Sequence, residues 1–298
     1  MLGIVTGLKS EAKLLQGPAF ACVSTGGQAR EARRKIDRLI AEGVTGLISF
    51  GIAGALSPEL KTGDLVIADL VANDIGEVWQ THLPWIDALR SNIEPIRDNH
   101  GHDDVPHHAA ARRSEGHATA GPGWSSEGDL PETVPAPPRA PSVTSAVRPG
   151  PAQTTKWIPA HGGNDGKGGA RVGAILGLDR MLSSPQEKAD AFARSGALVV
   201  DMESHHVARA ASERGLPFVA VRAVSDQAHE ALPAIMATFV DAEGQTKMSA
   251  VLAALILGRV RIGALLQAGR ASKRAHQALF RCRGALAEPP PIAATSLG

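Results

Sequence analysis

Acidic side chains that directly follow a buried strand are the first candidates for chemistry, because ligands of open α/β sheets bind beyond the carboxyl ends of the strands. In "ALVVDMESHHVARAA", residues 197–211, an apolar run passes straight into Asp201, Met202 and Glu203 and then into a helical pattern. In "PFVAVRAVSDQA", residues 217–228, another apolar run ends at Arg222, followed by Ser225 and Asp226. Two carboxylates so placed can flank one small molecule, as the acid and base of glycosidic cleavage must. Each also has a plain structural use. Asp201 or Glu203 can serve a helix N-terminus, where negative charge is favourable by about 0.3–1 kcal/mol, and Asp226 can be a cap or turn aspartate. A third segment, "LISFGIAGALSPELKTGDLVIAD" at 47–69, sets Gly51, Ile52, Ala53 and Gly54 after an apolar run. Small residues in such a glycine-rich turn let backbone approach a ligand closely, and tight packing explains them equally well.

The elements that must position these residues follow from short apolar runs bounded by glycine or charge at 3–6, 21–24, 46–50, 64–68, 171–176, 197–200 and 217–221, which predict buried strands. Helical patterns lie between them at 29–42, with Ile36, Leu39 and Ile40 on one face, at 184–194 and at 203–214, closed by Gly215 and Pro217. Strands alternating with helices predict an α/β fold with helices on both faces of a sheet. From 99 to 169 the chain turns to Pro, Gly, Ser, His and Ala, with "PETVPAPPRAP" inside it, and is expected to be a long disordered insertion between two halves of one domain, 1–98 and 170–245. His100, His102, His107, His108 and His117 fall in this insertion with irregular spacing and no cysteine, so no metal site is expected. "HGGNDGKGG" lacks the spacing of a phosphate loop and the Ser or Thr after Lys167. Residues 246–298 are expected to form a basic helical extension. Between 244 and 287 there are eight Lys and Arg and no acid, with Leu252, Leu255, Ile256 and Val260 at helical spacing. Such a helix either docks on the core with a solvated basic face or lies on an anionic membrane or lipid surface.

Lys plus Arg number 31 against 30 Asp plus Glu, so no global field attracts nucleic acid, and a small-molecule partner is expected. Two cysteines in different contexts, Cys22 and Cys282, argue against a disulfide framework and for a reducing cytoplasm. Lys9, Glu11 and Lys13 interrupt the first apolar run before it could form a signal core, and the longest later run, 251–257, is far short of the roughly 20 residues of a membrane span.

Taken together and in this order, "FGIAGAL" with "KTGDLVIAD", then "VVDMESHHVA", then "VRAVSD" resemble the purine nucleoside phosphorylase and nucleosidase superfamily, over roughly 1–90 and 170–245. "VTGLKSEAKLL", "GLDRML" and the basic tail look most like its hopanoid-associated phosphorylase family, thought to act on adenosylhopane. The resemblance implies a three-layer nucleoside phosphorylase-like fold with a mixed central sheet, no cofactor beyond phosphate as a co-substrate in a phosphorylase, a homo-oligomer, and cleavage of the N-glycosidic bond of an adenine nucleoside, with a methylthioadenosine/adenosylhomocysteine-type nucleosidase or a phosphate-dependent purine nucleoside phosphorylase as the alternatives.

Residue by residue, it places Glu203 on the ribose 2′ and 3′ hydroxyls, where a carboxylate can accept two hydrogen bonds. Met202 lies against the sugar, and Ala53 and Gly54 line the pocket through backbone groups. Asp226, supported by Ser225, matches the acid that helps protonate N7, for which it must hold a proton or share one with the base. Glu11 matches the glutamate that orients and deprotonates water in nucleosidases, and its plain alternative is an exposed first-turn helix residue. Met181 stands where nucleosidases often carry an aromatic on the base. Hexameric phosphorylases carry an arginine where this chain has Ser49, which favours hydrolysis, although Gly26, Gly27 and Arg30 could cradle phosphate. One of His205 and His206 could touch substrate, with a cap or surface role for the other. Two other classes stay open: a non-catalytic nucleoside-binding protein, against which Glu11, Glu203 and Asp226 together speak, and an oxidoreductase, for which no dinucleotide glycine fingerprint follows a strand.

Overall fold

The computed structural model describes residues 1–93, 170–257 and 262–287. The expected insertion at 99–169, with its histidines, lies outside these residues, as does the chain after 287.

The strands are β1 (Leu2–Thr6), β2 (Phe20–Ser24), β3 (Leu47–Ala55), β4 (Leu65–Asn73), β5 (Val78–Gln80), β6 (Arg171–Gly177), β7 (Val199–Asp201) and β8 (Phe218–Asp226). All belong to one mixed sheet, in the order β2-β1-β3-β7-β6-β4-β5, with β8 paired to both β3 and β4. The pairings β3–β8, β8–β4, β4–β6, β6–β7 and β7–β3 close a ring, so the centre of the sheet curls on itself. β3, parallel to β8 and antiparallel to β7, is its hub.

The helices are α1 (Lys9–Ala12), α2 (Ala29–Ala41), α3 (Leu83–Asn92), α4 (Pro185–Ser195), α5 (Ser204–Arg214), α6 (Met248–Ile256) and α7 (Ile262–Ala287). Ala32, Ile36 and Leu39 of α2 recur at three- and four-residue spacing and, with Val207, Ala208 and Ala211 of α5, bury against one side of the sheet. Trp85, Ile86 and Leu89 of α3 and Ala275, Leu279 and Cys282 of α7 bury against the other. The result is the expected three-layer arrangement. α4 begins at the sequence "SSPQE" because Ser184 accepts the Glu187 N–H at 3.2 Å while the Glu187 carboxylate accepts the Ser184 N–H at 3.1 Å, with Pro185 in the first turn. Among the described residues no helix is long and apolar enough to cross a membrane.

Two expectations need correction. β3 and β8 do not stop at Phe50 and Val221 but run on to Ala55 and Asp226. The glycine-rich "GIAG" is therefore strand, not turn, and Arg222 is a fully buried strand residue. The short strand β5, a three-residue edge, carries no apolar run of its own that marks it in the sequence.

Candidate active site

A pocket of about 420 Å³ opens where the carboxyl ends of β1, β3, β7 and β8 meet. Glu11, Ala53, Gly54, Met181, Met202, Glu203, Ser225, Asp226, Gly26 and Gly27 all line it; Arg30 does not, and is exposed.

Glu11 sits in the single turn of α1 after β1, yet only 1 % of it is exposed. Its carboxylate accepts the Leu8 N–H at 2.8 Å and the Ile52 N–H at 2.9 Å, which ties the end of β1 to β3. Burial raises its pKa, and the two N–H donors oppose that shift without cancelling it. The exposed-helix alternative is thus excluded for Glu11.

"VVDMES" divides its two acids by role. Asp201 accepts the Ser204 N–H at 3.1 Å and the Ser204 hydroxyl at 2.5 Å and pairs with the buried Arg222, so it caps α5 and neutralises the interior guanidinium. Arg222 also donates to Ser49 at 2.6 Å, which places Ser49 in this core network. Glu203, one residue before α5, turns to the pocket instead, accepts from Thr25 Oγ1 at 3.3 Å, and stands 4.0 Å from the Arg222 guanidinium. Burial first, then the charges of Asp201 and Glu11, push its pKa up to about 8 despite Arg222. A carboxyl group in that range can donate as well as accept a hydrogen bond near neutral pH.

Asp226 ends β8 at a β-bulge: Ala53 pairs with Val224, but Gly54 pairs with Asp226, which leaves Ser225 as the extra residue. Bulges re-aim side chains near sites. Here the Ser225 hydroxyl lies 2.7 Å from Asp226 Oδ1 and 3.1 Å from the Ala53 carbonyl, and its single proton goes to the nearer Oδ1. On Oδ2 sits a residue that the sequence reading missed. Lys188 of α4 is fully buried and donates to Asp226 Oδ2 at 2.5 Å, to the Gln227 carbonyl at 2.8 Å and to the Glu230 carbonyl at 2.9 Å, so all three ammonium hydrogens are used. The available signal was its position on the face of α4 shared with the buried Ala191, where a lysine is out of place unless paired.

The glycines at the site hold space. A Cβ on Gly51 would lie 2.9 Å from both Glu11 carboxylate oxygens, one on Gly7 2.9 Å from Glu203 Oε1, and one on Gly54 3.0 Å from Asp226 Oδ2. Each of the three carboxylates is therefore packed against a backbone that only glycine permits.

The candidate phosphate cradle is less open than the sequence suggests. Gly26 donates its N–H to the Gly7 carbonyl at 2.9 Å and packs against the Asp241 carbonyl, and the Gly27 N–H points to Thr25 Oγ1 at 3.4 Å. Among the described residues, the one cationic side chain lining the pocket, Arg180, is paired with Glu187 at 2.7 Å. His205 and His206 do not line the pocket; both rings point to Asp179.

Comparison with curated proteins found no match. Several solved structures share the fold. The 5′-methylthioadenosine/S-adenosylhomocysteine nucleosidase of Streptococcus pneumoniae, solved with a transition-state inhibitor, is 15 % identical with a TM-score of 0.52, covering 96 % of this chain and 99 % of that one. The nucleosidase of Colwellia psychrerythraea 34H in complex with adenine is 15 % identical with a TM-score of 0.52, covering 96 % and 95 %. That of Helicobacter pylori with butyl-thio-DADMe-Immucillin-A is 12 % identical with a TM-score of 0.52, covering 96 % and 97 %. At these identities the likeness is one of fold. A model of the phosphorylase superfamily matches residues 11–112 and 152–257, two stretches that begin at Glu11 and include β3, α4, Glu203 and Asp226, and the chain belongs to that superfamily.

Proposed function

We propose that this chain hydrolyses the N-glycosidic bond of an adenine nucleoside, and that its own substrate is adenosylhopane, an adenine nucleoside bearing a large apolar 5′ substituent. The observation that carries the reaction is the convergence of three buried carboxylates, Glu11, Glu203 and Asp226, on one pocket. Glu203 holds the ribose hydroxyls, with Met202 against the sugar. Glu11, fixed by two backbone N–H groups, takes a proton from water as the water oxygen bonds to C1′. The C1′–N9 bond breaks, and Asp226 delivers to N7 of the departing adenine a proton taken up from solvent. Lys188 is the positioning residue that holds Asp226 Oδ2 while Ser225 holds Oδ1. The negative charge of Glu11 favours the oxocarbenium-like sugar.

Water is favoured over phosphate on electrostatic grounds. A phosphate anion needs cationic or N–H donors, whereas this end of the pocket presents two acidic side chains, the Glu11 carboxylate and the Glu203 carboxyl group, with the Gly26 and Gly27 N–H groups already engaged. The apolar substituent is supported by the wall of Leu232, Pro233, Met236, Val240, Ala268 and Ala271. α7, which contributes Ala268 and Ala271, leaves Ile262 and Leu266 exposed near the basic Arg270 and Lys273, a pairing that suits an anionic lipid surface.

The test is adenine release from methylthioadenosine and from an adenosyl-lipid mimic, with and without phosphate, followed by mass analysis of the sugar. A free sugar formed without phosphate, and faster turnover of the lipid mimic, are expected. A sugar 1-phosphate overturns hydrolysis, and no adenine under any condition overturns the enzymatic reading.

A pH dependence follows from Glu11. It must be ionised to accept the proton of water, and burial raises its pKa above the ordinary 4.5. The value of kcat/KM therefore falls as pH drops through that raised pKa, and the acid limb lies above the ordinary glutamate range. Glu11→Gln lowers the rate about 10²–10⁴-fold and removes the limb; a limb that persists in this variant assigns it to another group.

A further inference from the structure

Outside the pocket, Asp179, His205 and His206 bring one carboxylate oxygen and two imidazole nitrogens within 4.8 Å of one another. The Nε2 atoms of His205 and His206 lie 3.0 and 2.8 Å from the same oxygen, Asp179 Oδ1. Adjacent residues of a helix do not normally face one partner, because successive side chains are about 100° apart around the axis. Here the two rings converge in the first turn of α5, with centroids 3.9 Å apart and planes at 39°. The fold makes room for this: a Cβ on Gly177, at the end of β6, would overlap the His205 ring. His205 is buried, its Nδ1 has no hydrogen-bond partner, and the Asp179 side chain is 61 % exposed.

From this geometry we infer that Asp179, His205 and His206 form a binding site for one divalent transition-metal ion of the zinc type, with its remaining coordination position open to solvent. Two imidazoles and a carboxylate are a donor set for such ions rather than for calcium or magnesium, which take oxygen ligands. Metal–ligand bonds of roughly 2.0–2.1 Å at tetrahedral angles set the ligand atoms about 3.3 Å apart. The Asp179–His205 and Asp179–His206 contacts need open by only a few tenths of an ångström to admit an ion, which displaces the protons now shared with Oδ1. The ligands come from two segments, the connection after β6 and the start of α5. These segments also carry Met181 and Glu203 into the pocket, so a bound ion fastens two of the pocket walls to each other. The inference stands on the cluster alone and does not depend on the proposed reaction.

Isothermal titration of the metal-free full chain with zinc chloride tests it, in wild type and in the variants Asp179→Asn and His206→Ala, with the melting temperature recorded with and without zinc. Wild type is expected to bind one zinc ion per chain that each variant loses or binds at least about tenfold more weakly, and zinc is expected to raise the melting temperature of wild type more than that of either variant. Asp179→Asn keeps the size and a hydrogen-bonding oxygen of the aspartate, so it remains readable if His206→Ala does not fold. No binding to wild type overturns the site. Equal binding by wild type and both variants also overturns it, because the ion then resides on other histidines, such as those at 100, 102, 107, 108 and 117.

Discussion

Asp226→Asn is expected to lower the rate constant of adenine release by about 10²–10⁴-fold, the usual weight of a general acid, while adenosine still binds. The amide has the shape of the carboxylate and keeps an oxygen for the Lys188 ammonium, so the wall formed by Gly54, Ser225 and Lys188 has no steric reason to rearrange. What it loses is the ability to carry a proton to N7. A riboside whose leaving group departs without protonation, such as p-nitrophenolate, separates the two effects and should keep most of its rate in the variant. An unchanged rate of adenine release in Asp226→Asn would move the acid elsewhere. Equal adenosine binding by wild type and variant, with turnover in neither, would make the chain a nucleoside-binding protein.

Replacement of Lys188 by methionine is expected to act on stability and rate together. It leaves the Asp226 carboxylate in a buried wall and removes the donor from the Gln227 and Glu230 carbonyls. Breaking a buried pair from one side typically costs about 3–5 kcal/mol, because the remaining charge has no partner. The double variant Lys188→Met with Asp226→Asn removes that charge and should recover much of the loss, though not the part due to the two carbonyls. Chemical denaturation of the four proteins measures the cycle. For adenine release the two residues act as one unit, so the double variant should be about as slow as Asp226→Asn alone. Multiplying rate losses would show that Lys188 acts independently of Asp226, and an unchanged stability of Lys188→Met would show that the pair carries no weight in folding.

Much of the scaffold was legible because buried strands and amphipathic helices write themselves as local patterns. The apolar runs at 3–6, 21–24 and 171–176 are β1, β2 and β6 within a residue or two, and 29–42, 184–194 and 203–214 are α2, α4 and α5. The errors lay where a local rule met a tertiary demand. Gly51 and Gly54 suggested a turn, since glycine weakens strands, but they lie inside β3 because the Glu11 and Asp226 carboxylates occupy the space a side chain would need. Arg222 suggested the end of a strand, since guanidinium groups are rarely buried, but Asp201, Ser49 and Ser204 satisfy it inside the sheet.

The alternation of strands and helices and the place of Glu203 and Asp226 at strand ends can be read along the chain, because both depend on residues close together in it. Which acid serves the pocket and which the core depends on contacts between distant segments. Asp201 and Glu203 are two residues apart and chemically alike; their roles differ because Arg222, 21 residues after Asp201, reaches one of them fully and the other only to 4.0 Å. The same holds for Lys188 and Asp226, 38 residues apart, and for Asp179 with His205 and His206, 26 and 27 residues apart. Electrostatic partners are chosen by distance through space, and in a sheet that curls on itself that distance is set by the register of strands far apart in the chain.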